Sequence, residues 1–167
     1  AITANVIDFS GMDAAPGTAT TANMGAAAVG VTSITGSPGI DTLVGDAAST
    51  IEGGAGDDSI TGGSGNDTLH GDAGADTITT GAGSDTVKGG TGNDTIVAAG
   101  NLSAADALDG GDGTDTLSVT NASLTAMQAL SISEANSFNS SFTSVEGLLV
   151  TDALDSTGDD FDLGYLA

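Results

Sequence analysis

Between residues 53 and 97 a single large aliphatic side chain recurs every nine positions: Ile60, Leu69, Ile78, Val87 and Ile96. Each is preceded by Ser or Thr, and all but Ile96 are followed by a polar or charged residue. Alternation of this kind predicts a short, half-buried strand, because successive strand side chains point to opposite faces. The eighth position of each unit is therefore expected to face inward, with the seventh and ninth facing out.

The remainder of each unit is turn chemistry. Five units run without interruption: GGAGDDSIT (53–61), GGSGNDTLH (62–70), GDAGADTIT (71–79), TGAGSDTVK (80–88) and GGTGNDTIV (89–97). Glycines at positions one, two and four permit backbone angles that a Cβ would block. Position five is mostly small and polar: Asp57, Asn66, Ala75, Ser84 and Asn93. One unit thus predicts a turn followed by a strand at positions seven to nine. Two units make one coil of a flattened solenoid. A degenerate unit, GSPGIDTLV (36–44), precedes the five, and an eight-residue unit without its Asp, GDAASTIE (45–52), lies between. After an interruption at 98–109, GGDGTDTLS (110–118) restores the pattern.

Coil geometry places the acidic residues. Units two apart in sequence are expected to stack at the strand spacing of about 4.8 Å. Position six then forms two columns, one of Asp58, Asp76 and Asp94 and the other of Asp67 and Asp85. Asp41 and Asp115 extend the first column. Asp106 extends the second if 98–109 completes a coil, since Asp106-Ala107-Leu108 preserves half a repeat. Like charges about 5 Å apart cost roughly 1–3 kcal/mol per pair at surface dielectrics.

Composition sharpens this picture. The chain carries 23 Asp and Glu against one basic residue, Lys88, for a formal charge of −22 over 167 residues. Nucleic acid is excluded as a direct ligand, because phosphate binding needs clustered Lys and Arg. An anionic membrane surface is excluded on the same grounds, and the apolar run 25–31 is too short to insert into a bilayer. Leu, Ile, Val and Phe make up about a fifth of the chain, which suits a thin core and not a thick one. Cys is absent, so neither disulfides nor thiolate metal sites hold the fold.

Carboxylates without basic partners suit a hard cation with oxygen ligands, and calcium takes these at about 2.3–2.6 Å. The candidate ligands are the position-six carboxylates together with turn carbonyls at positions one, three and four. They are Gly53, Ala55, Gly56 and Asp58; Gly62, Ser64, Gly65 and Asp67; Gly71, Ala73, Gly74 and Asp76; Thr80, Ala82, Gly83 and Asp85; and Gly89, Thr91, Gly92 and Asp94. Asp41, Asp106, Gly110 and Asp115 join them at the ends. About four to six ions are expected from the number of stacked pairs. Six would bring the net charge to about −10, tolerable for a soluble domain. The eight-residue unit has no Asp, so a site pairing it with 62–70 is not expected.

The 36–118 region, with its Gly-Gly-x-Gly-x-Asp-x-apolar-x units, resembles the RTX family of bacterial type I-secreted proteins. The resemblance implies an all-β fold, a right-handed parallel β-roll or β-solenoid, with calcium between successive turns. It also implies a chain that stays unfolded in the calcium-poor cytosol and folds outside the cell. Asp58, Asp67, Asp76, Asp85 and Asp94 sit at the family's position six.

The flanks, 1–35 and 119–167, are rich in Ala, Thr and Val and read as further β-solenoid. Segment 161–166 is similar to 7–12, and the first residue is Ala, so the sequence reads as a piece of a longer product. Such flanks around the roll resemble bacterial S-layer proteins and large RTX adhesins. Short helical turns with Ser caps are expected after Ser103 and Ser123. Asp155, Asp159, Asp160 and Asp162 read as a solvated acidic loop or a further calcium site.

Catalytic chemistry is thin. There is no His-Glu-x-x-His or Gly-x-Ser-x-Gly motif, and His70 is the sole histidine, which excludes a multi-His site within this chain. His70 is expected on the outer face, between Glu52 and Lys88 on neighbouring coils. The sequence predicts a non-enzymatic, calcium-stabilised structural module of a secreted surface (S-layer) protein that self-associates into a lattice. The alternatives are an adhesin stalk segment, or a folding and secretion module of an RTX toxin or enzyme.

Overall fold

A computed structural model describes residues 6–11, 20–23, 32–98, 102–103, 105–120, 142–145 and 147–150. Among these there are fourteen strands and no helix: β1 (Val6–Asp8), β2 (Thr20–Asn23), β3 (Ser33–Thr35), β4 (Asp41–Val44), β5 (Thr50–Ala55), β6 (Ser59–Ser64) and β7 (Thr68–Ala73), followed by β8 (Thr77–Ala82), β9 (Thr86–Thr91), β10 (Thr95–Ala98), β11 (Ala107–Asp112), β12 (Thr116–Val119), β13 (Phe142–Thr143) and β14 (Gly147–Val150). Odd-numbered strands form one seven-stranded sheet and even-numbered strands the other, each in sequence order. Every pairing is parallel. The chain therefore winds as a β-solenoid, crossing from one sheet to the other at each turn. The all-β expectation holds.

One aliphatic side chain per strand fills the space between the sheets. Ile34, Ile51, Leu69, Val87 and Leu108 come from the odd sheet, facing Leu43, Ile60, Ile78, Ile96 and Leu117 from the even sheet, and all are buried. Fully burying such a side chain stabilises the fold by about 1.5–3 kcal/mol. This is the inward position eight that the alternation predicts.

Three features differ from the sequence reading or supply what it left open. Strands β5 to β9 are six residues long, running from position seven through position three of the next unit. The added half is possible because position one is a second inward site, filled by a buried glycine, or by Thr80 at 4% exposure. Position two then adopts a left-handed φ, as at Gly54 (107°) and Gly63 (110°). Secondly, the turn expected after Ser103 does not continue as a helix: the Asp106 N–H donates to the Ser103 carbonyl at 3.2 Å and the Ala105 N–H to Ser103 Oγ at 3.2 Å, a single capped turn. Ala107 and Leu108 start β11 in register with Thr86 and Val87 of β9, so strand pairing overrides the local Ser-Ala-Ala-Asp propensity. Thirdly, the eight-residue unit does complete a turn: Thr50, Ile51 and Glu52 pair with Thr68, Leu69 and His70. The second expected helical turn, at 123–130, lies outside the described residues.

Candidate metal centre

The turns gather position six into two columns on opposite edges of the roll. Where the chain passes from the odd to the even sheet stand Asp41, Asp58, Asp76, Asp94 and Asp115; at the other edge stand Asp67, Asp85 and Asp106. All eight are buried, with exposures of 0–3%. The sequence places them at surface edges; the structure turns them inward beneath the glycines.

Each column is stitched by its own carboxylates. Asp58 Oδ1 accepts the Asp41 N–H at 2.8 Å, Asp76 Oδ1 accepts the Asp58 N–H at 2.7 Å, and Asp94 Oδ1 accepts the Asp76 N–H at 2.8 Å. Asp115 accepts from Asp94 at 2.8 Å. On the other edge Asp85 accepts from Asp67 at 3.0 Å and Asp106 from Asp85 at 2.8 Å. The register absorbs both irregularities. The step is 18 residues in the regular region, 17 at Asp41–Asp58 where the short unit intervenes, and 21 across the interruption. Asp106 thus joins the second column.

The second carboxylate oxygen is not served alike at every rung. Asp58, Asp67, Asp76 and Asp94 bury Oδ2 with no hydrogen-bond partner. Asp41 Oδ2 instead accepts the Ser37 N–H at 2.6 Å and its hydroxyl at 3.0 Å. Asp106 Oδ2 accepts the Ser103 N–H at 2.7 Å. At these two positions, both among the sequence candidates, the turn itself serves the carboxylate.

Backbone carbonyls converge on the unserved oxygens. A Cβ on Gly53 would lie 2.6 Å from Asp58 Oδ2 and 2.7 Å from the Gly71 carbonyl; one on Gly62 would lie 2.6 Å from Asp67 Oδ2 and 2.5 Å from the Thr80 carbonyl. The same pairing recurs at Gly71, with Asp76 Oδ2 and the Gly89 carbonyl, and at Gly89, with Asp94 Oδ2 and the Gly110 carbonyl. Position-one glycine therefore leaves room for these four carboxylates, whereas beside Asp85 the position is filled by Thr80. Position-three carbonyls are engaged elsewhere: those of Ala73, Ala82 and Thr91 accept the N–H groups of Gly56, Gly65 and Gly74 at 2.7, 2.7 and 2.9 Å. Ala55 and Ser64 occupy the same exposed strand ends. Position four, at Gly56, Gly65, Gly74, Gly83 and Gly92, has φ between 104° and 144° and forms the turn.

Burial without a counter-charge pushes these carboxyls up, to about 7 at Asp58 and about 6 at Asp67 and Asp76. The N–H from the preceding rung opposes the shift, and the neighbouring column carboxylate adds to it. Asp85 and Asp94 move in the same direction for the same reasons. An ionised carboxylate with one oxygen unserved is costly to bury. A cation held by oxygens removes that cost. The donor set of carboxylate and carbonyl oxygens fits calcium. Among the described residues no three acidic or imidazole side chains converge on one point, so carbonyls must complete any such shell.

The profile of the RTX calcium-binding nonapeptide repeat, in 4 copies, matches residues 45–78, 70–101 and 103–118. The repeat region belongs to the RTX family. RTX repeats bind calcium, and the matched segments contain every position-six Asp named above except Asp41. No curated protein matches the chain.

Sequence reasoning missed three contributors to the RTX roll. Ser49 replaces Asp in the short unit and keeps the ladder, its N–H donating to Asp67 Oδ1 at 2.8 Å. Its occurrence four residues before the next paired glycines, the spacing of Asp58 from Gly62, was the available signal. Ser37 and Ser103 serve the end carboxylates. Position five forms a further ladder running the opposite way: Asp57 Oδ1 accepts from Ala75 N at 2.9 Å, Asn66 from Ser84 at 3.0 Å and Asn93 from Thr114 at 3.0 Å. The acidic residues at 155–162 lie outside the described residues.

Proposed function

We propose that this chain is a calcium-stabilised structural module of a secreted bacterial surface protein, of the S-layer kind, which folds on meeting extracellular calcium and assembles with copies of itself. The observation that carries this reading is the pair of buried Asp columns whose Oδ2 atoms at Asp58, Asp67, Asp76 and Asp94 have no protein partner. When bound, calcium supplies positive charge between coils and turns carboxylate repulsion into a cross-link. The residues of the chain do the rest. Asp Oδ1 atoms fix the stacking register, position-one glycines leave room for the oxygens, and the aliphatic file excludes water.

About four to six ions fit the stacked pairs. The central gaps come first, and the Ser-served ends at Asp41 and Asp106 are weaker. Assembly is supported by the ends of the solenoid. Strands β1, β2, β13 and β14 each pair on one side only among the described residues, and open strand edges favour addition of further strands. Among these residues no helix is long and apolar enough to cross a membrane. The role is non-catalytic: His70 is the sole histidine, and its backbone stacks between Glu52 and Lys88 on the outer face.

Electron microscopy of the protein carrying this chain tests the proposal. Ordered two-dimensional arrays in calcium that disperse in chelator are expected. A dispersed monomer in calcium, or filaments without lattice order, would overturn the surface-lattice role.

A further inference from the structure

The two edges of the roll carry unequal charge. Among the described residues, Asp57, Asp72 and Asp112 lie beside the longer column, whereas the shorter column has only Asp46 beside it. Where the richer edge has Asp57 at position five, the poorer has Asn66. Where the richer has Asp72 at position two, the poorer has Gly81.

Within the richer edge the charge gathers at one place. Asp57 is fixed there by the bond from Ala75 N, 2.9 Å long, which points its carboxylate toward the coil that carries Asp76. Asp72 stacks between Gly54 and Gly90 with φ of 72°, a left-handed conformation that the flanking repeats reserve for glycine. Asp tolerates that region better than most residues, yet glycine would be freer of strain. Asp58 and Asp76, bounding the same gap, both bury an unpartnered Oδ2. Asp57 and Asp76 thus both bridge the coils of Asp58 and Asp76, with Asp72 on the coil of Asp76, whereas at the other edge Asn66 stands where Asp57 does.

We propose that the gap between Asp58 and Asp76 is the tightest calcium position of the roll and fills first, with Asp57 and Asp72 acting on the ion by charge and not by coordination. This rests on the calcium reading above. Affinity at oxygen-ligand calcium sites follows the number of charges around them. The gap that most resists closure without calcium is then the one that gains most from it. Filling proceeds from this edge to the poorer one.

The test is a calcium titration of the full chain followed by amide NMR at Ala75 and Ser84, with the tightest binding step measured against a chromophoric chelator. Ala75 is expected to order at lower calcium than Ser84. Replacing both Asp57→Asn and Asp72→Asn keeps the acceptor oxygens and the local backbone, and should weaken the tightest step about fivefold at physiological salt. The calcium needed to order Ser84 should change by less than about twofold. Glu52→Gln with Asp109→Asn removes the same charge from the outer face and should produce less than half that weakening. Ordering of Ser84 first or together with Ala75, or an equal effect of the outer-face pair, would overturn the inference. Absence of any calcium binding by the unsubstituted chain would instead overturn the calcium reading itself.

Discussion

Replacing Asp76 with Ala removes the carboxylate at the centre of the longer column. Its Oδ1 accepts the Asp58 N–H at 2.7 Å, and losing a hydrogen bond to a charged acceptor costs about 1.5–3 kcal/mol. In calcium the loss compounds, because Asp76 borders two gaps. An ion at 10 to 100 times its dissociation constant contributes about 1.4–2.7 kcal/mol to the folded state, so two contribute about 3–5. The total, about 4–8 kcal/mol, rivals the whole stability of an ordinary domain. Without calcium, removal of a like charge from between Asp58 and Asp94 offsets much of the lost bond.

Asp41→Ala is the matched comparison. It borders one gap, and its Oδ2 is already served by Ser37 at 2.6 Å. Its cost in calcium should be about half that of Asp76→Ala. Far-ultraviolet circular dichroism during a calcium titration reads both. Asp76→Ala should raise the folding midpoint by about tenfold or more, and Asp41→Ala clearly less. Equal midpoints for the two variants would refute the column geometry.

Other outcomes follow from single contacts. Gly53→Ala places a Cβ 2.6 Å from Asp58 Oδ2 and 2.7 Å from the Gly71 carbonyl, so it should destabilise the calcium-bound roll by about 1–3 kcal/mol in thermal melts. Ala75→Asn should complete the position-five ladder by accepting from Asn93 N, and raise stability by about 0.5–1.5 kcal/mol; a lower melting temperature would contradict that ladder's direction. In chelator, Asp58, with its carboxyl raised from 3.8 to about 7, and Asp67 and Asp76, raised to about 6, bind protons more tightly folded than unfolded. Their contribution is fully present below about pH 4 and is lost as pH rises toward 7, so the metal-free chain should gain strand signal on acidification. Calcium competes with those protons, so its apparent affinity should fall over the same window; pH-independent affinity would refute the assignment.

The nine-residue period made the inward file of Ile60, Leu69, Ile78, Val87 and Ile96 legible, because strand alternation and unit length leave no other phase. The Asp columns followed from stacking alone within 53–97, but the register across the two irregular stretches did not: the steps of 17 and 21 residues come from the structure. What the sequence concealed depends on which oxygen meets which backbone group. Asp76 spends Oδ1 on the Asp58 N–H, so only Oδ2 remains for a cation. Ser37 satisfies Asp41 through a turn whose shape no spacing rule specifies. The turn capped by Ser103 stops at Asp106 because parallel pairing of Ala107 and Leu108 with β9 outweighs a four-residue propensity. Ser49 was overlooked because its backbone N–H, not its side chain, continues the column.

Amide hydrogen exchange of the full chain, in excess chelator and in calcium, tests the central claim most directly. The account predicts strong protection across 50–98 and 107–119 in calcium and its loss in chelator at neutral pH. Equal protection in both would contradict a roll whose buried carboxylates depend on the ion.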